Sequence, residues 1–201
     1  MHKPAPTDHP IHELLAKRWS PRAFDAREVD TATLLSLFEA ARWAPSSFNE
    51  QPWRFLVAQK SDAAAFERLL GVLWPLNQVW AKDAPVLVLG ASRTHFSRGD
   101  NPNGHARHDL GQALASLTVE ATSRGLVVHQ MMGFDADAAR TAYSIPDGFD
   151  AVTVAAIGYP GDAASLPDDL RDRESAPRSR KPLGEILFDG EWQKASRLLA
   201  G

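Results

Sequence analysis

The chain has 201 residues, 44% of them hydrophobic, which is enough for one well-buried core and argues for a single domain over 1–201. A formal net charge of −3 argues against nucleic acid or an anionic membrane as partner, since either would call for a dominant basic face. The chain has no cysteine, which removes disulfides, thiolate metal sites and thiol nucleophiles and is in keeping with a cytoplasmic enzyme. No apolar run approaches the eighteen or so residues of a membrane span. The start, MHKPAPTDHP, is polar and proline-rich and lacks the apolar segment of a signal peptide.

In chain order, Pro10 to Trp19 reads as a first helix with Asp8 as its cap. Leu34, Leu37, Phe38 and Ala41 recur at helical spacing after Asp30, and Pro45 closes that second helix. Phe55 to Ala58 reads as a strand, Ser61 to Leu70 as a helix, and Val86 to Ala91 as a buried strand. The polar stretch from Ser92 to His108 reads as one long loop. Leu110, Ala113, Leu114, Leu117 and Ala121 then line one face of the strongest helix, with Asp109 as its cap and Gly125 as its end. Leu126 to Met131 is extended, Asp135 starts another helix, and Val152 to Ile157 is a strand. The tail from Asp162 to Pro182 is charged and poor in core residues. Strands interleaved with at least five helices make an α/β or α+β layered domain.

Several familiar chemistries are absent. The sequence has no GxG dinucleotide fingerprint, no P-loop and no GxSxG elbow. His105, His108 and Asp109 lie close together, but a polar loop running into a helix cap accounts for them better than a metal site does. Arg18 and Arg22, in RWSPR, are four apart, so one helical turn would place them on one side. Arg178 and Arg180 alternate, so extended backbone would point them the same way. Arginine forks suit a phosphate monoester, although spacing alone fits two solvated surface pairs better. The connection WAPSSFNEQPWRF packs Ser46, Ser47, Asn49 and Gln51 between Pro45 and Pro52, with Trp43, Phe48 and Trp53 among them. It reads as a stiff loop presenting donors to something planar.

These segments together resemble the FMN-dependent nitroreductase family. KRWSPRAF, WAPSSFNEQPWRFLVA, LNQVWAKDAPVLV, DLGQALASLTVEATSRGL, HQMMGFD, VAAIGYPGD and PRSRKPLGEI follow that family's order. The resemblance implies an α+β fold with a central, mostly antiparallel sheet flanked by helices. It also implies a homodimer of domain-swapped style with two FMN sites at its interface. Carried across, Arg18, Trp19, Ser20 and Arg22 hold the phosphate and ribityl chain together with Arg178 and Arg180 of the C-terminal extension, 162–201. Asn77 lies beside the flavin ring, and the loop formed by Gln130, Met131, Met132 and Gly133 runs along one face. Pro45, Ser46, Ser47, Asn49 and Gln51 reach the flavin of the other subunit.

The resemblance further implies that NADH or NADPH donates a hydride to the flavin and that a nitroaromatic, quinone or similar acceptor then takes the electrons in a second half-reaction. Arg22 would stabilise charge at flavin N1 and O2. A flavoprotein sensor or carrier with little turnover, a reductive dehalogenase or a flavin-cleaving enzyme of the same fold are the alternatives. Met132 stands where some members carry glutamate, and Trp19 stands where a second basic or imidazole side chain is frequent.

Overall fold

The computed structural model describes residues Lys3–Ala200. Alternation along one strand decides the architecture. In β2 (Val86–Arg93), Val86 and Val88 belong to one apolar cluster and Leu87 and Leu89 to another, and all four are buried. A strand that is apolar on both faces has to be covered on both. β2 therefore lies inside a four-stranded sheet of order β1-β2-β4-β3. Its neighbours are β1 (Trp53–Gln59) and β4 (Phe149–Gly158), with β3 (Val127–Met131) at the far edge. All three pairings are antiparallel, so the expected sheet is found.

One face is covered by α2 (Thr31–Arg42) and α5 (Ala106–Ser123), through Leu34, Leu37 and Ala41 and through Leu110, Leu114 and Leu117. The other face carries α3 (Ala63–Leu70), α4 (Pro75–Ala81), α6 (Ala136–Tyr143) and α7 (Asp168–Ser175). A fully buried leucine such as Leu117 contributes about 1.5–3 kcal/mol by leaving water. Asp30, Asp62 and Asp135 each accept a backbone N–H at a helix start, satisfying donors that have no partner within the helix. Gly125, at φ 74, lets Leu126 N–H return to the Ala121 carbonyl and stop α5. Among the described residues no helix is long and apolar enough to cross a membrane.

Several expectations are corrected. The first helix, α1, is only Glu13–Lys17, and His12 Nδ1, not Asp8, caps it by accepting Leu14 N–H. It ends before Trp19 because the backbone of Arg18 already leaves the helical region, at φ −59 and ψ 126. Arg18 and Arg22 are therefore not one helical turn apart. The third helix begins at Ala63 rather than Ser61, with Asp62 as cap. The long loop is residues 94–105 only, since Ser92 and Arg93 pair in β2 and α5 begins at Ala106. Asp109 lies inside α5, buried to 1% exposure, and does not cap it. Gln130 and Met131 are the end of β3 rather than a loop. The tail holds a helix, α7, and buries Ala163, Leu166, Leu170 and Glu174, so it is part of the core.

Candidate functional site

The two ends of the chain meet. Asp25 N–H bonds the Tyr159 carbonyl and Gly161 N–H bonds the Ala23 carbonyl, so the segment around RWSPRAF is docked at the end of β4. From there the tail crosses α7 and returns. Arg18, Trp19, Ser20 and Arg22 line one cleft of about 280 Å³ together with Arg178 and Arg180. Lys3, Arg173 and Glu174 complete the charged lining. The six residues that the resemblance implied for the phosphate and ribityl chain are thus brought together from positions some 160 apart in the chain.

The electrostatics of this cleft are lopsided. Its lining holds six cationic side chains and one carboxylate, Glu174. Among the described residues, Arg18, Arg178 and Arg180 form no ion pair with a carboxylate. Burial, and then the nearby Arg180, lower the pKa of Arg18 from its ordinary value. Burial, then Arg18 and Arg180, do the same for Arg178. Like charges held together and partly desolvated cost energy unless an anion relieves them. The two C-terminal arginines also differ. Arg178 Nη1 donates to the Lys3 and Ala16 carbonyls at 2.7 and 2.9 Å, whereas among the described residues Arg180 Nη1 reaches only the neighbouring Ser179 carbonyl. Arg178 is therefore a tie between the termini as well as a cation. Lys3 Nζ stands 4.9 Å over the Trp19 ring.

His129 and Glu174 were missed by sequence reading. His129, on β3, donates Nδ1–H to the Pro21 carbonyl at 2.9 Å and packs on Trp80. Burial, opposed in part by that hydrogen bond and aided by Arg22, pulls its pKa down to about 4, so the ring is neutral at pH 7. Glu174 Oε1 accepts the N–H groups of Arg22 and Ala23 at 2.8 and 3.1 Å. A faint signal existed: Leu170 and Glu174 are four apart and share the buried face of α7.

A second wall lies where α4 meets the end of β3. Asn77 Nδ2 donates to the Gly133 carbonyl at 2.9 Å, and Trp74 N–H bonds the same oxygen. A Cβ on Gly133 would stand 2.5 Å from Asn77 Nδ2, so a side chain there would have to push Asn77 out of its hydrogen bond. Gln130 and Met132 are exposed, while the Met131 side chain is in the core and offers only backbone outward.

The Pro45–Gln51 loop is not part of the cleft of the same chain. Its Phe48, Asn49 and Glu50 line a separate surface with Phe96, Ser97, Arg98 and Asn101. Its stiffness is built from strain and ties. Phe48, Asn49 and Gln51 all take positive φ (52, 55 and 49), Ser46 Oγ accepts Gln51 N–H, and Ser47 N–H bonds Asp109 Oδ2. Glu50 accepts from both Ser97 N–H and Ser97 Oγ, clamping the loop to residues 94–105. Trp53 is ordinary core, but Trp43 and Phe48 are 74% and 91% exposed. His105, His108 and Asp109 bring ligand atoms within 4.8 Å of one another, yet the buried Asp109 is occupied in holding Ser47.

A three-layer α+β fold whose termini close a cationic cleft is the class these features define. The chain belongs to the Nitroreductase family, whose model matches residues 15–159. An uncharacterized 15.4 kDa protein of Mycolicibacterium smegmatis is 36% identical over 146 residues, 69% of this chain and 97% of that protein. The major NAD(P)H-flavin oxidoreductase of Aliivibrio fischeri is 33% identical over 96 residues, 46% of this chain and 43% of that one. A crystal structure described as an oxidoreductase containing FMN superposes with a TM-score of 0.88 at 39% identity, over 94% of this chain and 96% of that one.

Proposed function

We infer that this chain is an FMN-dependent oxidoreductase that takes electrons from NADH or NADPH and passes them to a small organic acceptor such as a nitroaromatic or quinone. The observation that carries this reading is the group of uncompensated arginines, Arg18, Arg178 and Arg180, gathered from both termini into one cleft. A phosphate monoester supplies the dianion that such a group lacks, through charge-assisted bonds of about 1.5–3 kcal/mol each. The donors therefore fit the phosphate end of FMN. The flavin and NAD(P)H named for the similar proteins agree with it.

When bound, FMN supplies the redox chemistry, and the balanced reaction is NAD(P)H + H⁺ + acceptor giving NAD(P)⁺ and the two-electron-reduced acceptor. The chain's own residues bind and orient. Arg18, Ser20, Arg178 and Arg180 hold the phosphate end, with Trp19 beside them. Arg22 faces the electron-rich edge of the ring. Asn77 and the backbone of Gln130 to Gly133 border the ring. The absence of a nucleophile and base pair is no obstacle, since the protein contributes placement and electrostatics.

Pro45, Ser46, Ser47, Asn49 and Gln51 lie outside this cleft, and we assign them to the flavin site of a second copy in a homodimer. Incubation of purified protein with FMN, followed by gel filtration, tests the reading. About one FMN per chain should be retained, and anaerobic NADH or NADPH should bleach its visible absorption. A protein left colourless by FMN would refute the cofactor. Retained flavin that neither donor reduces would favour a sensor or carrier role.

A further inference from the structure

We propose that Glu174 is a positioning residue for Arg22, and that it tempers this arginine's effect on the redox potential of the bound flavin. The proposal rests on the FMN reading above. A cleft built for an anion has reason to exclude carboxylates, yet one carboxylate stands in its wall, and its side chain is only 2% exposed. Oε1 has an evident structural task, accepting the amides of Arg22 and Ala23 and so fixing the basic segment against α7. An amide oxygen could perform that task without a charge.

The other oxygen is the anomaly. Oε2 is buried and, among the described residues, has no hydrogen-bond partner, and Arg22 Nη1 lies 3.9 Å from it. Withdrawing a charge from water with half its acceptor capacity unused is unfavourable, so the arrangement calls for a role beyond anchoring. A guanidinium has five N–H donors around a plane. Arg22 lines the cleft with its side chain 27% exposed, so donors not turned to Glu174 can serve a ligand there. Arg22 then faces the ligand with its position set, and part of its charge offset, by the carboxylate behind it.

The consequence has a sign. Reduced flavin carries more negative charge at the ring edge than oxidised flavin, so a free Arg22 favours the reduced form and raises the potential. Glu174 opposes this. Glu174→Gln keeps an oxygen for the two amides while removing the charge. The expected result is a retained fold, little change in affinity for oxidised FMN, and tighter binding of the reduced form. A tenfold change in the affinity ratio corresponds to about 30 mV upward for a two-electron couple.

The experiment is spectroelectrochemistry on FMN-saturated wild type, E174Q, R22Q and the double variant, with affinities for oxidised FMN measured in parallel. If Glu174 acts through Arg22, most of the upward shift disappears when E174Q is made in the R22Q background. An unchanged potential in yellow, folded E174Q would overturn the proposal and leave Glu174 as an anchor only. An equal shift in both backgrounds would also overturn it, by making Glu174 a direct field source. Arg22→Lys is a second arm should E174Q not fold. It keeps the charge and leaves Glu174 in place but lacks the second donor edge, so the potential should fall, and no change would count against the pairing. A colourless wild type would refute the FMN reading itself, an outcome distinct from all of these.

Discussion

Ser47 donates its backbone N–H to Oδ2 of Asp109 at 3.0 Å, which ties a surface loop to the first turn of the longest helix. The loop needs such a tie. Phe48, Asn49 and Gln51 hold positive φ, a conformation that costs side-chain-bearing residues energy unless the surroundings impose it. A buried carboxylate hydrogen-bonded to an amide is a strong restraint, worth on the order of 1.5–3 kcal/mol. Asp109→Ala should therefore lower stability in urea by about that amount, and Asp109→Asn by less, since an amide oxygen can still accept. Chymotrypsin should cut D109A faster after the exposed Phe48. Equal cleavage rates in wild type and D109A would show that the loop is held by something else.

The two C-terminal arginines should separate experimentally. Among the described residues Arg180 has no long-range hydrogen bond, so Arg180→Ala should weaken FMN binding while leaving the unfolding midpoint of the flavin-free protein nearly unchanged. Arg178 also holds the Lys3 and Ala16 carbonyls, so Arg178→Ala should lose affinity and stability together. Each lost charge-assisted bond to phosphate is worth about 1.5–3 kcal/mol of binding. Fluorescence titration of FMN and thermal unfolding of the flavin-free variants check both halves. A stable R178A with normal FMN affinity would remove Arg178 from the site.

A third expectation concerns assembly. Trp43 and Phe48 are exposed at the loop assigned to a second copy, and Trp74 and Met132 are exposed beside the Asn77–Gly133 wall. Large apolar side chains clustered on a surface mark contact regions. An interface of the obligate kind buries more than about 2,000 Å². Sedimentation at micromolar concentration should show a dimer that comes apart only with unfolding, and a folded, flavin-loaded monomer would count against it.

What the sequence disclosed follows from how local each signal is. The α2 and α5 faces were legible because Leu34, Leu37 and Ala41, and Leu110, Leu114 and Leu117, repeat with the helix period. β2 was legible because a strand buried on both faces is continuously apolar. The helix α7 was not, because its run DDLRDRES is polar or charged everywhere except Leu170, and one apolar residue sets no period. α4 was hidden in the same way, since Pro75 starts it but only Trp80 and Ala81 are buried. The arginines were found as pairs, but that the pairs meet depends on the tail crossing the sheet's end, which no spacing encodes. Asp109 misled because an acidic residue before an apolar helix face usually caps it, whereas here the helix begins three residues earlier and the carboxylate serves a loop 62 positions away.

The pH dependence of stability should report His129. Its pKa in the folded protein is drawn from the ordinary 6.5 down to about 4, by burial first and by the nearby Arg22 charge as well, against the opposing pull of the Pro21 carbonyl. A lowered histidine pKa means that the unfolded chain binds the proton more readily than the folded one. Stability from this residue is therefore complete above about pH 6.5, falls as pH drops, and is fully lost near pH 4. At 1.36 kcal/mol per unit, the loss amounts to about 3 kcal/mol at most. His129→Asn keeps a donor near the position of Nδ1 for the Pro21 carbonyl but cannot titrate. It should cost stability at neutral pH through lost packing on Trp80. That difference from wild type should then shrink steadily from about pH 6.5 to pH 4, because only the wild type pays for protonation. Urea unfolding at several pH values in that window measures the difference. A wild-type-minus-variant gap that stays constant with pH would mean that the imidazole takes up its proton as readily in the folded protein as in the unfolded chain, and that burial does not hold it neutral.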